Sequence, residues 1–210
     1  MTRTIWLDQD APTVHVEQSV TNVGTVDTPF LWGHHPTFPA IPGAQVDVPI
    51  GAAVSVEPAT PGDLTSTDFS WPLARNRTGA QIDVSFLPHE PGVRLLYLHK
   101  LTAGWTALRN PPGADSPGVA ISWDVAAHPF LWLWLQNGDP GFPWFGRARM
   151  IGLEPQRAWP FDGLAGAVSR GQAVVVAPGQ TVHSWLTMTL LSSELPEITH
   201  VDREGRISHG

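Results

Sequence analysis

Two short stretches of this sequence carry residue types that can move protons. The first is Gly33-His34-His35-Pro36. An imidazole titrates near neutral pH, so it can donate or accept a proton there. Gly33 lets the backbone turn sharply or approach closely, and Pro36 pushes His35 toward an extended conformation. Adjacent residues on an extended chain point to opposite faces, so only one of His34 and His35 can face a given pocket. The alternative is that one is a hydrogen-bonded core histidine and the other lies on the surface. The second stretch is Ile151-Gly152-Leu153-Glu154-Pro155. Glu154 follows an apolar approach and precedes a proline, a context that holds its carboxylate near a strand end in partly apolar surroundings. Desolvation there raises the carboxyl pKa and makes it a stronger base. The alternative is a structural ion pair between Glu154 and Arg147, Arg149 or Arg157.

A third feature could bind rather than react. Phe130-Leu131-Trp132-Leu133-Trp134-Leu135-Gln136 sets three leucines on one face of a strand, with Trp132, Trp134 and Gln136 on the other. Indole faces stack on the C–H surfaces of pyranose rings while side-chain amides bond hydroxyls, so this face could wall a sugar subsite; a Trp pair at period two also serves as plain core. Asp124 could bind a hydroxyl or be an exposed strand-end carboxylate. No Gly-rich phosphate loop, Gly-x-Ser-x-Gly elbow or His-Glu-x-x-His helix occurs. A metal site built on His34 and His35 would need histidines sharing a face, which neighbours do not, so no metal and no cofactor are expected.

The elements that must position these residues read as strands. Val14, Val16 and Val20 alternate with polar residues, as do Ile82, Val84 and Phe86, and again Val119, Ile121, Trp123 and Val125. The 21 prolines and 20 glycines punctuate the chain at intervals that suit short strands and turns. Ala173–Val176, the turn Pro178-Gly179-Gln180 and the run from Val182 to Leu190 read as a hairpin. The pattern predicts one all-β antiparallel sandwich domain over residues 1–192 and a polar tail with little core over 193–210.

Composition narrows the function classes. Hydrophobic residues at 42% and charged residues at 15% describe a packed globule. The 19 acidic residues against 12 scattered basic ones give a net charge of -7, which argues against nucleic acid as a partner. No run of about 20 apolar residues is present, and Met1–Asp8 lacks the apolar stretch of a leader, so no membrane association and a cytoplasmic location are expected. With no cysteine, disulfides and thiolate chemistry are excluded.

Taken in order, these segments resemble the aldose 1-epimerase (galactose mutarotase-like) family. Thr21-Asn22-Val23-Gly24 with Pro29-Phe30-Leu31-Trp32-Gly33-His34-His35-Pro36 is similar to its "N-x-G … PF-x-x-G-x-HP" segment. Leu131–Trp134 through Pro143-Trp144-Phe145-Gly146-Arg147 is similar to its aromatic stretch, Ile151–Pro155 to its "LEP" segment, and Val176–Gln180 to its closing turn. The resemblance runs over residues 13–191. It implies an antiparallel sandwich whose concave face binds a sugar, and isomerase activity interconverting anomers. Carried over by position, Glu154 would be the general base and His35 the general acid, across a gap that admits a pyranose; His34, Trp134, Asp124, Trp132 and Arg147 would contribute to binding. A non-catalytic carbohydrate-binding or sensing module is the competing expectation. Family members are longer, and this chain begins where their second half begins, without a second site histidine and a sugar-binding arginine. Such a half leaves sheet edges open, so a homodimer or a complementary half is expected to cover them.

Overall fold

The computed structural model describes residues 1–192 and 195–210. Among these the chain forms eighteen strands and one short helix. In chain order the first nine strands are β1 (Thr2–Leu7), β2 (Thr13–Thr21), β3 (Thr28–Phe30), β4 (Thr37–Pro39), β5 (Gln45–Asp47), β6 (Ala53–Val56), β7 (Asp68–Ser70), β8 (Leu73–Arg75) and β9 (Gln81–Asp83). The long central strands follow as β10 (Gly92–His99), β11 (Trp105–Arg109), β12 (Gly118–Trp123), β13 (Phe130–Asn137) and β14 (Arg149–Gln156). Then come α1 (Gly163–Ser169), β15 (Val174–Val176), β16 (Thr181–Leu191), β17 (Ile198–Val201) and β18 (Ile207–His209).

Two six-stranded antiparallel sheets face each other, in the orders β1-β2-β16-β12-β11-β5 and β4-β14-β13-β10-β6-β7. Alternation along each strand decides what lies between them. Val16, Leu186, Ile121, Trp123 and Leu108 project inward from the first sheet, and Leu131, Leu133, Leu135, Leu96, Leu98 and Leu153 from the second, forming one buried cluster. The opposite face of β13 therefore presents Trp132, Trp134 and Gln136 outward from the core. β1 is an edge strand exposed along its whole length, with Ile5 and Leu7 among the exposed apolar side chains.

Two expectations fail at the C-terminal end. β15 does not form a hairpin with β16: it pairs with β3, while β16 pairs with β2. The turn at Gly179 is present, but Asn22 divides the two strands, its side-chain amide donating to Val176 O at 2.7 Å while its backbone accepts from Gly179 and donates to Gln180. Nor are the described residues of 195–210 a tail with little core. β17 and β18 pair with each other and lie on the outer face of the first sheet, where Ile198 and Val201 pack with Trp105, Ala107, Ala120 and Leu191. Polar anchors fix the hairpin: Ser122 Oγ donates to Asp202 O at 2.7 Å, and Ile198 N donates to Asp47 Oδ2, a carboxylate that also takes the Arg109 guanidinium at 2.6 Å. Ile198→Ala is expected to cost about 2–5 kcal/mol in urea unfolding, the usual range for emptying a buried aliphatic site. An unchanged midpoint would mean that this hairpin detaches before the sandwich unfolds.

Candidate active site

Strand register brings the two proton-moving stretches together. The isolated bridge Gly33↔Gln156 and the pair Thr37↔Gly152 bracket the β4 side of β14, so His35 stands directly across from Glu154 on the same face. His35 Nδ1 lies 2.7 Å from Glu154 Oε1. No pyranose fits between groups in such contact, so the expected sugar-wide gap is replaced by a bonded carboxylate–imidazole pair. Glycine at both bracketing positions lets the neighbouring side chains fold back over the strand. A Cβ on Gly33 would overlap the Gln156 amide, and one on Gly152 would overlap Glu154 Oε1, so the carboxylate folds back over Gly152.

The Glu154 side chain is 5% exposed, whereas the His35 side chain is 60% exposed at the rim. Burial pushes the Glu154 carboxyl above its usual range, opposed by the hydrogen bond and charge of His35 and by the Gln156 amide. Gln156 Nε2 reaches Glu154 Oε2 at 3.4 Å and His34 O at 3.1 Å. None of the alternative ion-pair partners holds Glu154. Arg149 donates to Asn137 Oδ1 and Arg157 to the carbonyls of Gln172 and Ala126.

The pair stands at one end of a hollow of about 530 Å³ whose lining includes Trp132, Trp134 and Gln156. Trp134 stacks on His35 with ring centroids 5.9 Å apart. Trp132 sits beside Glu154 in register, with Tyr97 on its other side. Tyr97 is 1% exposed; its hydroxyl donates to Glu57 Oε2 at 2.5 Å and accepts from Phe161 N at 3.1 Å, which ties down the loop before α1. Among the described residues no group of three or more histidines, cysteines or carboxylates could hold a metal ion, and no helix is long and apolar enough to cross a membrane.

Three expected binding residues lie elsewhere. His34 points to the opposite side from His35, between the sheets, with its ring 5.0 Å from that of His128. Asp124 accepts from the backbone N–H groups of Ala126 and Ala127, closing the turn after β12. Arg147 is exposed on the loop after Trp144 and does not line the hollow. Conversely, Gln156, Leu95 and Phe161 line the hollow without having been singled out. Gln156 was legible, since it lies two residues beyond Glu154 on one strand face; Leu95 and Phe161 depend on strand pairing and on a loop.

No protein-family model and no curated protein matches the chain. Solved structures do. A proposed aldose 1-epimerase from Klebsiella pneumoniae superposes with a TM-score of 0.63 at 16% identity, over 87% of this chain and 44% of its own. A TPR-domain containing protein from Parabacteroides distasonis gives 0.64 at 12% identity, over 91% and 30%. A galactose mutarotase related enzyme from Lactobacillus acidophilus gives 0.51 at 15% identity, over 91% and 61%. The chain thus spans less than two thirds of each. Likeness at these identities is a likeness of fold: the chain has the antiparallel β-sandwich of galactose mutarotase-like proteins.

Proposed function

We propose that this chain interconverts the anomers of a reducing sugar by general acid and base catalysis, without a cofactor. The observation that carries the reading is a buried carboxylate bonded to a rim imidazole at the head of an indole-walled hollow. Ionised Glu154 removes the proton from the anomeric hydroxyl while protonated His35 delivers one to the ring oxygen. The bond from C1 to the ring oxygen breaks and the C1 carbonyl forms. Rotation about the bond between C1 and C2 and the reverse transfers close the other anomer, restoring both groups. The exposed His35 ring must turn from Glu154 to reach the sugar, since a proton donor works only within hydrogen-bond reach. Polarimetry of anomer interconversion tests the reading, with the Glu154→Gln form as comparison; equal rates for the two would remove it.

Gly152→Ala is a milder probe of the same arrangement. The added methyl collides with the carboxylate rather than with backbone, so Glu154 must leave His35 while the sheet persists. At least a ten-fold loss of rate is expected, with the unfolding midpoint nearly unchanged. The contact between Glu154 and His35 also favours a second reading, a non-catalytic sugar-binding module, because the resting pair leaves no ring-sized space between acid and base. Calorimetric sugar binding with interconversion at the buffer rate would select that reading.

A further inference from the structure

The hollow has few polar groups to offer a sugar. Glu154, His35 and Gln156 all sit at one end, and the Gln156 amide nitrogen already donates to His34 O and Glu154. Three further side-chain polar groups near the hollow are occupied, which leaves the Trp134 indole N–H as the one indole donor of the wall with no partner among the described residues. Trp132 Nε1 donates to Ala158 O at 3.0 Å, Trp32 Nε1 donates to Gln18 at 2.8 Å, and the Tyr97 hydroxyl is shared between Glu57 and Phe161 N. Beyond the pair, the wall consists of indole faces with Leu31, Leu95, Ala158, Pro160 and Phe161.

That apolar end is fixed in place. Phe161 is 77% exposed, with its ring edge-on to Trp132 at 5.7 Å. Its backbone N–H is bound by Tyr97, and the preceding Trp159 is stacked flat on His99 at 5.1 Å. The exposed Phe161 ring therefore continues the apolar wall of the hollow beyond Trp132 into solvent. A hydroxyl pressed against this wall would lose its water and gain no partner, whereas hydrocarbon is stabilised by every part of its surface that it buries there. Stacking on an indole accounts for one pyranose face. It does not account for the shelf beyond it, and a hollow of about 530 Å³ lies within the roughly 300–1,000 Å³ that drug-sized ligands fill.

We infer that the ligand is a reducing sugar carrying an apolar substituent, such as an aryl or acyl group, away from its anomeric carbon. This rests on the proposed anomer chemistry for which end of the ligand meets Glu154 and His35. The free hemiacetal meets the pair, and the substituent lies against the outer surface that Trp132, Pro160 and Phe161 form together.

The test compares D-glucose with 4,6-O-benzylidene-D-glucose, which keeps a free anomeric hydroxyl and adds one aryl ring at the far side. Affinity is read from tryptophan fluorescence and turnover from polarimetry on the same protein. The benzylidene sugar is expected to bind at least ten-fold more tightly, and Phe161→Ala to reduce that ratio below three. Because Phe161 is exposed, this substitution leaves the core untouched. Equal affinities, tighter binding of glucose, or a ratio indifferent to Phe161→Ala would overturn the inference. If the benzylidene sugar binds preferentially but neither sugar is turned over, the ligand class stands and the catalytic reading fails. If both are turned over with equal affinity, the catalytic reading stands and the ligand class fails.

Discussion

Glu154→Gln is expected to reduce anomer interconversion by about 10²–10⁴, the range that a positioned general acid or base contributes. The substitution preserves shape and the capacity to bond His35 while removing the basic oxygen, so sugar binding should survive the loss of rate. The pH profile gives an independent reading of the same group. Burial holds the Glu154 carboxyl above its ordinary range, and only the ionised form accepts the anomeric proton. The acid limb of the rate against pH is therefore expected above the usual carboxylate range. An acid limb at or below that of an exposed glutamate would contradict the assignment. In the Gln variant the limb should vanish along with the rate.

How much of this was readable in the sequence differs by residue, for physical reasons. Glu154 stood out by its apolar approach and the proline after it; Trp132 and Trp134 were legible because period-two alternation fixes strand faces, and the opposite face of β13 is an unmistakable row of leucines. The split between His34 and His35 was legible for the same reason. That His35 stands opposite Glu154 was not, because their meeting depends on register across residues 33–37 and 152–156, more than a hundred positions apart. Nor could alternation tell a bonded pair from two groups flanking a ring, a matter of ångströms set by the space over Gly152. Asp124 shows the limit of reading a residue type without its turn: two backbone N–H groups a few positions ahead claim its carboxylate. The C-terminal hairpin was missed because polar and charged residues together outnumber the apolar ones in it. Its burial comes from Ile198 and Val201 on a surface that only the folded first sheet creates.

The second large effect concerns acid rather than sugar. His128 is fully buried, with Nε2 2.8 Å from Ser184 Oγ and Nδ1 3.3 Å from Trp32 O, and His34 stands against it with a buried Nε2 that has no partner among the described residues. Burial is the main cause that holds each imidazole down to about 4, from 6.5; His34 is further opposed by His128 and Arg3, and His128 by Arg157, although the Trp32 carbonyl acts the other way. Between those limits the unfolded chain binds more protons than the folded one, so stability rises with pH across the window. The contribution is complete above about 6.5 and is lost as pH falls toward 4. At 1.36 kcal/mol per pKa unit, His128 accounts for up to about 3 kcal/mol, and His34, which is less enclosed, for less. Glu154 runs the other way, since its raised pKa lets the folded chain hold its proton longer, and it tempers the slope. Urea unfolding at pH 7.5, 5.5 and 4.5 is expected to show stability falling at each step. His128→Gln should be weaker at pH 7.5, where a satisfied buried ring is lost, yet show a visibly flatter decline between 7.5 and 4.5. A decline just as steep in the variant would assign acid sensitivity to groups other than this pair.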